Sequence, residues 1–208
     1  DLTDTDYTPV LGYGSAGTIE LNCGQQALAY TPPTGFKTLN TANLPTPTIT
    51  KPTDYCDAIQ YTGTGSELEI SSLSFQPGLV IIKNLDATDD WLLFDNTNGA
   101  TKHTSPNRSD LGGLVTTAQS LKSFDSDGFT LGTDNQVNTS SEKYVAFSWK
   151  TGSSGTVTNG MTKVSDSSQT NITRAVNTDS GVSIMSYTGN GSASTILHGL
   201  SSTPKFLF

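Results

Sequence analysis

The chain has 208 residues, enough for one or two domains with a substantial core. Its formal net charge is −8 and only 14% of its residues are charged, so no basic patch is available for phosphates and nucleic-acid binding is excluded. No window approaches 18 consecutive apolar residues, so membrane insertion is not expected, and the abundance of Ser, Thr, Gly and Asn is typical of an exposed β protein.

The first 45 residues predict short strands and turns. Residues 18–22 alternate apolar and polar side chains, as a half-buried strand does, and residues 28–30 predict a second strand that ends at Pro32. Residues 46–53 then place two prolines among threonines. This composition is typical of a short, stiff linker, because proline fixes its own φ and restricts the residue before it. A domain boundary is therefore predicted within residues 46–53.

From residue 54 onwards the pattern predicts an all-β unit. Strands are predicted at residues 59–61, 67–70, 79–82, 91–94, 144–149 and 182–187, with a strand-turn-strand at residues 124–131. The absence of a helical period among these short strands predicts an antiparallel β-sandwich of the jelly-roll or concanavalin type.

Two stretches between the predicted strands have a different character. Residues 99–119 lack a strong period and predict a long loop, with a short helix at residues 114–120. Asn159-Gly160 suits a two-residue type I′ turn, which predicts a hairpin over residues 156–163 with Val157 opposite Thr162.

One motif occurs twice. Residues 61–66 read Tyr-Thr-Gly-Thr-Gly-Ser and residues 187–192 read Tyr-Thr-Gly-Asn-Gly-Ser, each followed by a proline and a hydrophobic run. This spacing predicts a tandem repeat with a period near 126 residues. Residues 54–180 would form one repeat domain and residues 181–208 would begin a second, as part of a longer protein. The two motifs should form equivalent turns, because glycine admits the positive φ that such turns require.

The first 45 residues also resemble a known domain. Residues 21–28, residues 30–37 with their double proline, and residues 39–45 with their final Asn-Leu-Pro are similar to the C-terminal end of SPRY domains, above all those of phage and marine-virus structural proteins. One departure is Cys23, where that pattern usually has an aromatic residue. The resemblance implies that residues 1–45 are the last strands of an SPRY-like domain whose larger part would precede Asp1.

The repeat unit resembles an uncharacterised repeat domain of phage virion and tail proteins, which follows an SPRY-like domain and often recurs in tandem. The similarity is found at residues 75–84, 93–95, 99–102, 121–124, 127–132 and 144–150. It implies a virion context, in a fibre or appendage, with other copies of the chain or fibre subunits as partners and a homo-oligomeric assembly. It implies no catalytic residues.

No catalytic set emerges from the residues themselves. His103 and His198 are the two histidines that could act as bases near neutral pH, and the strained Gly-x-Ser-x-Gly turn of a serine nucleophile is absent. Both histidines are interpreted as surface or turn residues. An enzyme is therefore not expected, although hydrolase activity is not excluded by the sequence.

Spaced carboxylates form a weak calcium candidate. Asp125 and Asp127 flank Ser126 before Gly128, and Asp134 lies nearby, so oxygen ligands for a hard cation are present. However, the twelve-residue loop with its distal glutamate is missing, and Asp-Gly is also an ordinary turn. A plain β-turn is the favoured interpretation, and no cofactor is expected apart from this calcium alternative.

Aromatic side chains could stack on sugars. Trp91 begins one predicted strand and Trp149 ends another, so core packing is favoured for both. If the chain binds a ligand such as a host-surface glycan, the candidate residues are Trp91, His103 and Tyr187.

The two cysteines, Cys23 and Cys56, could form one disulfide. Two free, buried thiols are favoured instead, because a disulfide scaffold would be richer in cysteine. The cysteines do not decide the compartment, and a virion or extracellular location follows from the resemblance alone.

The sequence as a whole favours a non-enzymatic structural or adhesion module of a viral tail fibre or virion appendage. Its β-sandwich repeats would be displayed for assembly or for contact with a host surface. The alternative is a carbohydrate-binding module of a secreted polysaccharide-active protein.

Overall fold

The computed structural model describes residues 22, 26, 30–37, 43, 44, 47, 49–110 and 113–207. The chain divides into two compact units, Asp1–Pro47 and Thr48–Phe208. The strands predicted at residues 18–22 and 28–30 lie almost wholly outside the described residues, as does Cys23. The architecture below is therefore that of the second unit.

The regular structure of the second unit consists almost entirely of short antiparallel strands. A 3-10 turn at Pro52–Asp54 precedes the first strand, and a short α-helix, α1, spans Asn135–Asn138. The strands are β1 (Cys56–Thr62), β2 (Leu68–Ile70), β3 (Leu79–Asn84), β4 (Leu92–Asp95), β5 (Lys102–Thr104), β6 (Val115–Thr116), β7 (Leu121–Asp125), β8 (Gly128–Leu131), β9 (Lys143–Trp149), β10 (Gly155–Lys163), β11 (Gln169–Asn177), β12 (Val182–Ser186) and β13 (Ser194–Ile196).

The strands form three sheets. The largest has six strands in the order β1-β9-β3-β4-β5-β6, the smallest has the order β2-β8-β7, and the third has the order β12-β11-β10-β13. All described pairings are antiparallel. The prediction of an all-β antiparallel sandwich is therefore confirmed.

The hydrophobic core joins the six-stranded and three-stranded sheets. Side chains alternate strictly along β3 and β9, so that every second residue is buried. The buried side chains of the six-stranded sheet meet those of the smaller sheet in one cluster of Ile70, Val80, Ile82, Leu92, Phe94, Leu121, Phe129, Leu131, Val137, Tyr144 and Ala146. The residues between them on β3 and β9 point to the opposite face, where the candidate site lies.

Two sequence predictions for this unit are wrong. Residues 99–119 are not one long loop, because β5 and β6 pair with each other and join the six-stranded sheet through β4. The helix predicted at residues 114–120 is also absent, since Val115–Thr116 is a strand. Strands of two or three residues are too short to show a period, and tertiary pairing alone determines them.

The hairpin predicted over residues 156–163 is also wrong. These residues lie within one strand, β10, which pairs with β11 as Val157↔Ile172 and Met161↔Thr170, with a register shift between. Asn159 does adopt a positive φ of 55°. The Asn-Gly pair therefore forms a bulge within a long strand, where extra residues are accommodated, and not a chain reversal.

The two glycine motifs are equivalent in structure. β12 begins 126 residues after β1, and β13 begins 126 residues after β2. Gly65 and Gly191 both have φ of 70°. Ser66 N donates to Thr64 Oγ1 at 3.2 Å, and Ser192 N donates in the same way to Asn190 Oδ1 at 3.0 Å. The two turns therefore have the same local geometry, as predicted. The strands on either side pair differently, because β1 and β2 lie in two different sheets whereas β12 and β13 lie in one.

Candidate functional site

An apolar groove lies on the outer face of the six-stranded sheet. Ile81 of β3 and Phe147 of β9 are direct cross-strand partners on this face. The indole ring of Trp91, just before β4, stacks on Phe147 with ring centroids 6.4 Å apart and an interplanar angle of 26°. The groove has a volume of about 340 Å³ and is lined by Ile81, Trp91, Pro106, Asn107 and Phe147. We call it the Trp91 groove.

A polar rim fixes the position of the Trp91 backbone. Asn107 Oδ1 accepts a hydrogen bond from Trp91 N at 3.1 Å, and Asn107 Nδ2 donates to Asp90 Oδ1 at 2.8 Å. Arg108 Nη1 donates to Asp90 Oδ2 at 3.0 Å, and its Nε and Nη2 donate to the two carboxylate oxygens of Asp110 at 2.9 and 2.6 Å. An amide, a guanidinium and two carboxylates therefore lie in and beside the groove.

The rim keeps its charges under ordinary conditions. The hydrogen bonds from the Arg108 guanidinium lower the pKa of the Asp110 carboxyl to about 2. The ion pair is therefore present throughout the physiological pH range. Both partners are exposed, so the pair orders the rim without contributing much stability.

Trp91 differs from its sequence prediction. The sequence favours core packing, but the side chain lies beside the core strand and is 36% exposed. One face of the indole packs on Phe147 and the rest borders the groove. An apolar aromatic surface beside directional polar groups is the arrangement that binding sites for small polar ligands use. The groove could therefore accept the apolar face of a sugar ring, with the rim meeting its hydroxyls.

His103 occupies a different environment from the predicted loop. It lies in β5, is 3% exposed, and packs against Phe94 with ring centroids 5.5 Å apart. Nε2 is 3.3 Å from Thr117 Oγ1, whereas the buried Nδ1 has no hydrogen-bond partner. His103 does not line the Trp91 groove. The interpretation of His103 as a surface or turn residue is therefore wrong.

Burial of His103 should make stability depend on pH. Desolvation lowers the pKa of the imidazole, and the Asp134 carboxylate opposes that shift only in part. The unfolded chain then binds a proton at a higher pH than the folded chain does. Stability should fall as the pH drops below about 6.5, by at most ~1.4 kcal/mol per pH unit. Urea unfolding between pH 7.5 and pH 5 measures this effect. The free energy of unfolding should fall less over this range in His103→Gln than in the native chain. Equal slopes in both proteins would refute this origin.

Two of the three calcium candidates, Asp125 and Asp134, have separate structural roles. Asp125 Oδ2 accepts from Thr130 Oγ1 at 2.7 Å at the β7–β8 turn. Asp134 is the N-cap residue of α1, where it accepts from Gln136 N at 3.1 Å and from Ser120 Oγ. In the part of the chain that the structure describes, no group of three or more acidic, histidine or cysteine side chains could hold a metal ion. Asp125, Asp127 and Asp134 therefore do not form a common site.

Tyr187 is 54% exposed and lies in the second glycine loop, residues 187–192. It is not among the residues that line the Trp91 groove. The structure thus places the three predicted ligand-binding residues in three settings: Trp91 at the groove, His103 in the core and Tyr187 on the second glycine loop.

The first glycine loop, residues 61–66, holds a segment of the chain that runs from the end of α1 into the start of β9. Gly63 N donates to Glu142 O at 2.8 Å, Ser141 N donates to Gly63 O at 2.9 Å, and Gly65 N donates to Asn138 O at 2.9 Å. Gly63 is essential to this contact, because a Cβ there would lie 2.1 Å from Thr139 O. We call residues 137–144 the docked segment.

Two side chains fix the docked segment. Tyr61 stacks on Tyr144 with centroids 5.2 Å apart, and its hydroxyl donates to Val137 O at 2.7 Å. Asn138 is fully buried, and its Oδ1 accepts from Thr64 N at 2.8 Å. Its Nδ2 donates to Gly132 O at 2.7 Å and to Ser66 O. Asn138 therefore ties the first glycine loop to the region around α1.

Sequence reasoning missed the residues that complete the two sites. Phe147 could have been recognised, because the alternation along residues 144–149 assigns it to the face opposite Tyr144 and Ala146. Nothing local marks Asn107 or Asn138, since their partners lie 16 and 74 residues away in sequence.

Two further findings concern Cys56 and the length of the helices. Cys56 is a free cysteine at the start of β1, as the sequence favours, but it is exposed, so the prediction of a buried thiol is wrong. Within the residues that have been described, no helix is long and apolar enough to cross a membrane.

Comparison with known proteins gives a family but no function. A family model described as a domain of unknown function (DUF7483) matches residues 51–208. No curated protein matches the chain, and no solved structure does. The match covers most of the chain, including both glycine loops and the Trp91 groove. The chain therefore belongs to the DUF7483 family.

Proposed function

We propose that the chain is a non-enzymatic structural and adhesion module of a viral tail fibre or related virion appendage. It displays β-sandwich repeats outside the cell, and the Trp91 groove contacts a host-surface glycan. The observation that carries the adhesive role is the partly exposed indole of Trp91 beside a hydrogen-bonding rim. The virion context is supported by the resemblance of the repeat to phage tail proteins, and the display role by the repetition of the glycine-loop unit.

The groove has the chemistry that sugar recognition requires. A pyranose ring has an apolar face of C–H groups and an edge of hydroxyls. The indole of Trp91, which stacks on Phe147, offers a rigid apolar surface for the apolar face of the sugar. The Asn107 amide has four hydrogen-bonding positions, of which the bonds to Trp91 and Asp90 use two. The others can serve the hydroxyl edge.

Replacing the indole tests this role. Trp91→Ala should weaken binding to surface glycans on a glycan array at least tenfold, because a central aromatic anchor supplies much of the affinity at such sites. Circular dichroism should keep the native spectrum, since Trp91 is partly exposed and precedes its strand, while the melting temperature should fall by a few degrees because the contact with Phe147 is lost.

Tyr187→Ala is the matched control, because it also removes an exposed aromatic ring but lies outside the groove. It should bind glycans as the native chain does. The adhesive role fails if the native chain binds no glycan on the array, or if Trp91→Ala binds as tightly as the native chain.

The same groove also supports the second candidate, a carbohydrate-binding module of a secreted polysaccharide-active protein. The two functions differ in the preferred ligand. A virion module should select bacterial or other host-surface glycans, whereas a module of a degrading enzyme should select storage or structural polysaccharides. Release of new reducing ends from any polysaccharide by this chain would contradict the non-enzymatic proposal.

A further inference from the structure

We infer that the Trp91 groove takes uncharged sugar residues, and that Asp110 sets this preference by occupying the guanidinium of Arg108. The inference rests on the proposed adhesive role of the groove and specifies the chemical class of the glycan. Sugars that carry a carboxylate, such as uronic acids, are selected against. Asp110 acts through Arg108, so it determines specificity without anchoring the sugar itself.

Arg108 is the side chain of the rim that suits an anionic sugar. A planar guanidinium binds a carboxylate through two parallel N–H bonds, which is a common basis for the recognition of acidic ligands. In this rim the position is already taken. Nε and Nη2 of Arg108 donate to the two carboxylate oxygens of Asp110 at 2.9 and 2.6 Å. Asp110 therefore lies where the carboxylate of an acidic sugar would bind.

A second carboxylate makes the rim negative. Nη1 of Arg108 donates to Asp90 Oδ2 at 3.0 Å, so one guanidinium faces two carboxylates. The Asp110 carboxyl stays ionised at neutral pH, because its hydrogen bonds to Arg108 lower its pKa to about 2. An incoming carboxylate would meet a net negative charge, and the juxtaposition of like charges opposes binding. A neutral hydroxyl group has no such cost.

The charged residues that adjoin the groove along the chain leave this balance unchanged. Lys83 lies two residues beyond Ile81 on the same face of β3, and its ammonium donates to two nearby backbone carbonyl oxygens at 2.6 and 3.0 Å. Asp89, next to Asp90, contributes the opposite charge. The added cation and the added anion cancel, so the surroundings of the groove remain negative.

Neutral hydroxyl groups still find partners at the rim. Arg108 has five N–H groups, of which its bonds to Asp90 and Asp110 use three. The Asn107 amide keeps one N–H group and one lone pair beyond its bonds to Trp91 and Asp90. A hydroxyl both donates and accepts, so this mixture of donors and acceptors matches the edge of an uncharged sugar.

Matched oligosaccharide pairs test the preference on the complete chain. In each pair one hexose is replaced by the corresponding uronic acid, so the two members differ only in a hydroxymethyl group or a carboxylate at C6. On an array of such pairs the native chain should bind the neutral member about fivefold more tightly, as expected for one exposed pair of like charges. Raising NaCl from 0.1 to 1 M should reduce this preference, because the Debye length falls from about 10 to about 3 Å.

Asp110→Ala exposes the paired N–H groups of Arg108 and removes one negative charge from the rim. The preference for the neutral member should disappear or reverse. Asp166→Ala is the matched control, because it also removes one carboxylate from an exposed ion pair, with Lys163 at 2.8 Å, but lies outside the groove. It changes the net charge of the chain equally and should keep the native preference.

The inference is overturned if the native chain binds the acidic members as tightly as the neutral ones, or if Asp110→Ala keeps the preference as Asp166→Ala does. Trp91→Ala on the same array separates this inference from the proposed function. Equal binding of both members that is lost in Trp91→Ala rejects the specificity alone and leaves the adhesive role intact. Binding of no glycan by the native chain rejects the adhesive role together with the inference that rests on it.

Discussion

Asn138→Ala should lower the free energy of unfolding of the β-sandwich by about 3–5 kcal/mol. The Asn138 amide is fully buried and bonds to three backbone groups, those of Thr64, Ser66 and Gly132. Alanine leaves these groups in the interior without partners, and each unsatisfied group costs about 1–3 kcal/mol. The first glycine loop would also lose its attachment to the region around α1.

Urea denaturation followed by tryptophan fluorescence measures this effect in the correct unit, because both tryptophans, Trp91 and Trp149, lie in the sandwich. Ser140→Ala is the control, since Ser140 is exposed in the same segment, and it should change stability by less than about 0.5 kcal/mol. A loss in Asn138→Ala no larger than that in Ser140→Ala would show that the amide does not hold the loop.

Gly63→Ala should destabilise the sandwich by about 2–4 kcal/mol, whereas Gly189→Ala should change its stability by less than about 0.5 kcal/mol. The two glycines occupy equivalent positions of the repeat. An added methyl group at Gly63 would clash with Thr139 O, a backbone atom that cannot move without breaking the neighbouring hydrogen bonds. At Gly189 the methyl group would meet no atom of the described residues within 4 Å.

This pair of variants is its own control, because local backbone propensity changes equally in both. Neither Gly63 nor Gly189 has a positive φ, so strain at the substituted residue does not separate them. Thermal unfolding and urea titrations of both variants supply the measurement. Equal destabilisation would contradict the prediction, because it would mean that the close contact of Gly63 with Thr139 O does not matter.

The wrong prediction of a hairpin at residues 156–163 shows that a local turn signal does not by itself determine a chain reversal. Asn159 does adopt the positive φ that an Asn-Gly turn favours. However, the chain continues in one strand because pairing with β11 buries Met161 with Ile172 and Ala175. A turn residue permits a reversal, but the burial of partners far along the chain decides whether one occurs. His103 is a second example. Its strand, β5, has three residues and is buried only because it pairs with β4 and β6.

The sequence by itself determined the features that depend on local pattern. Alternation predicted the main strands and the antiparallel sandwich, because each strand buries one face. The repeated Tyr-Thr-Gly-x-Gly-Ser motif predicted two equivalent turns, because the backbone conformation of such a loop depends on its glycines and on short-range hydrogen bonds.

Only the tertiary structure decided what these local features contact. The strand order brings Phe147 beneath Trp91 and turns an expected core residue into the wall of a groove. It also packs the carbonyl of Thr139 against Gly63 of the first glycine loop, a contact that nothing in the motif itself marks. Both outcomes depend on contacts between residues distant along the chain. Such contacts are set by the packing of whole sheets, which no local pattern encodes.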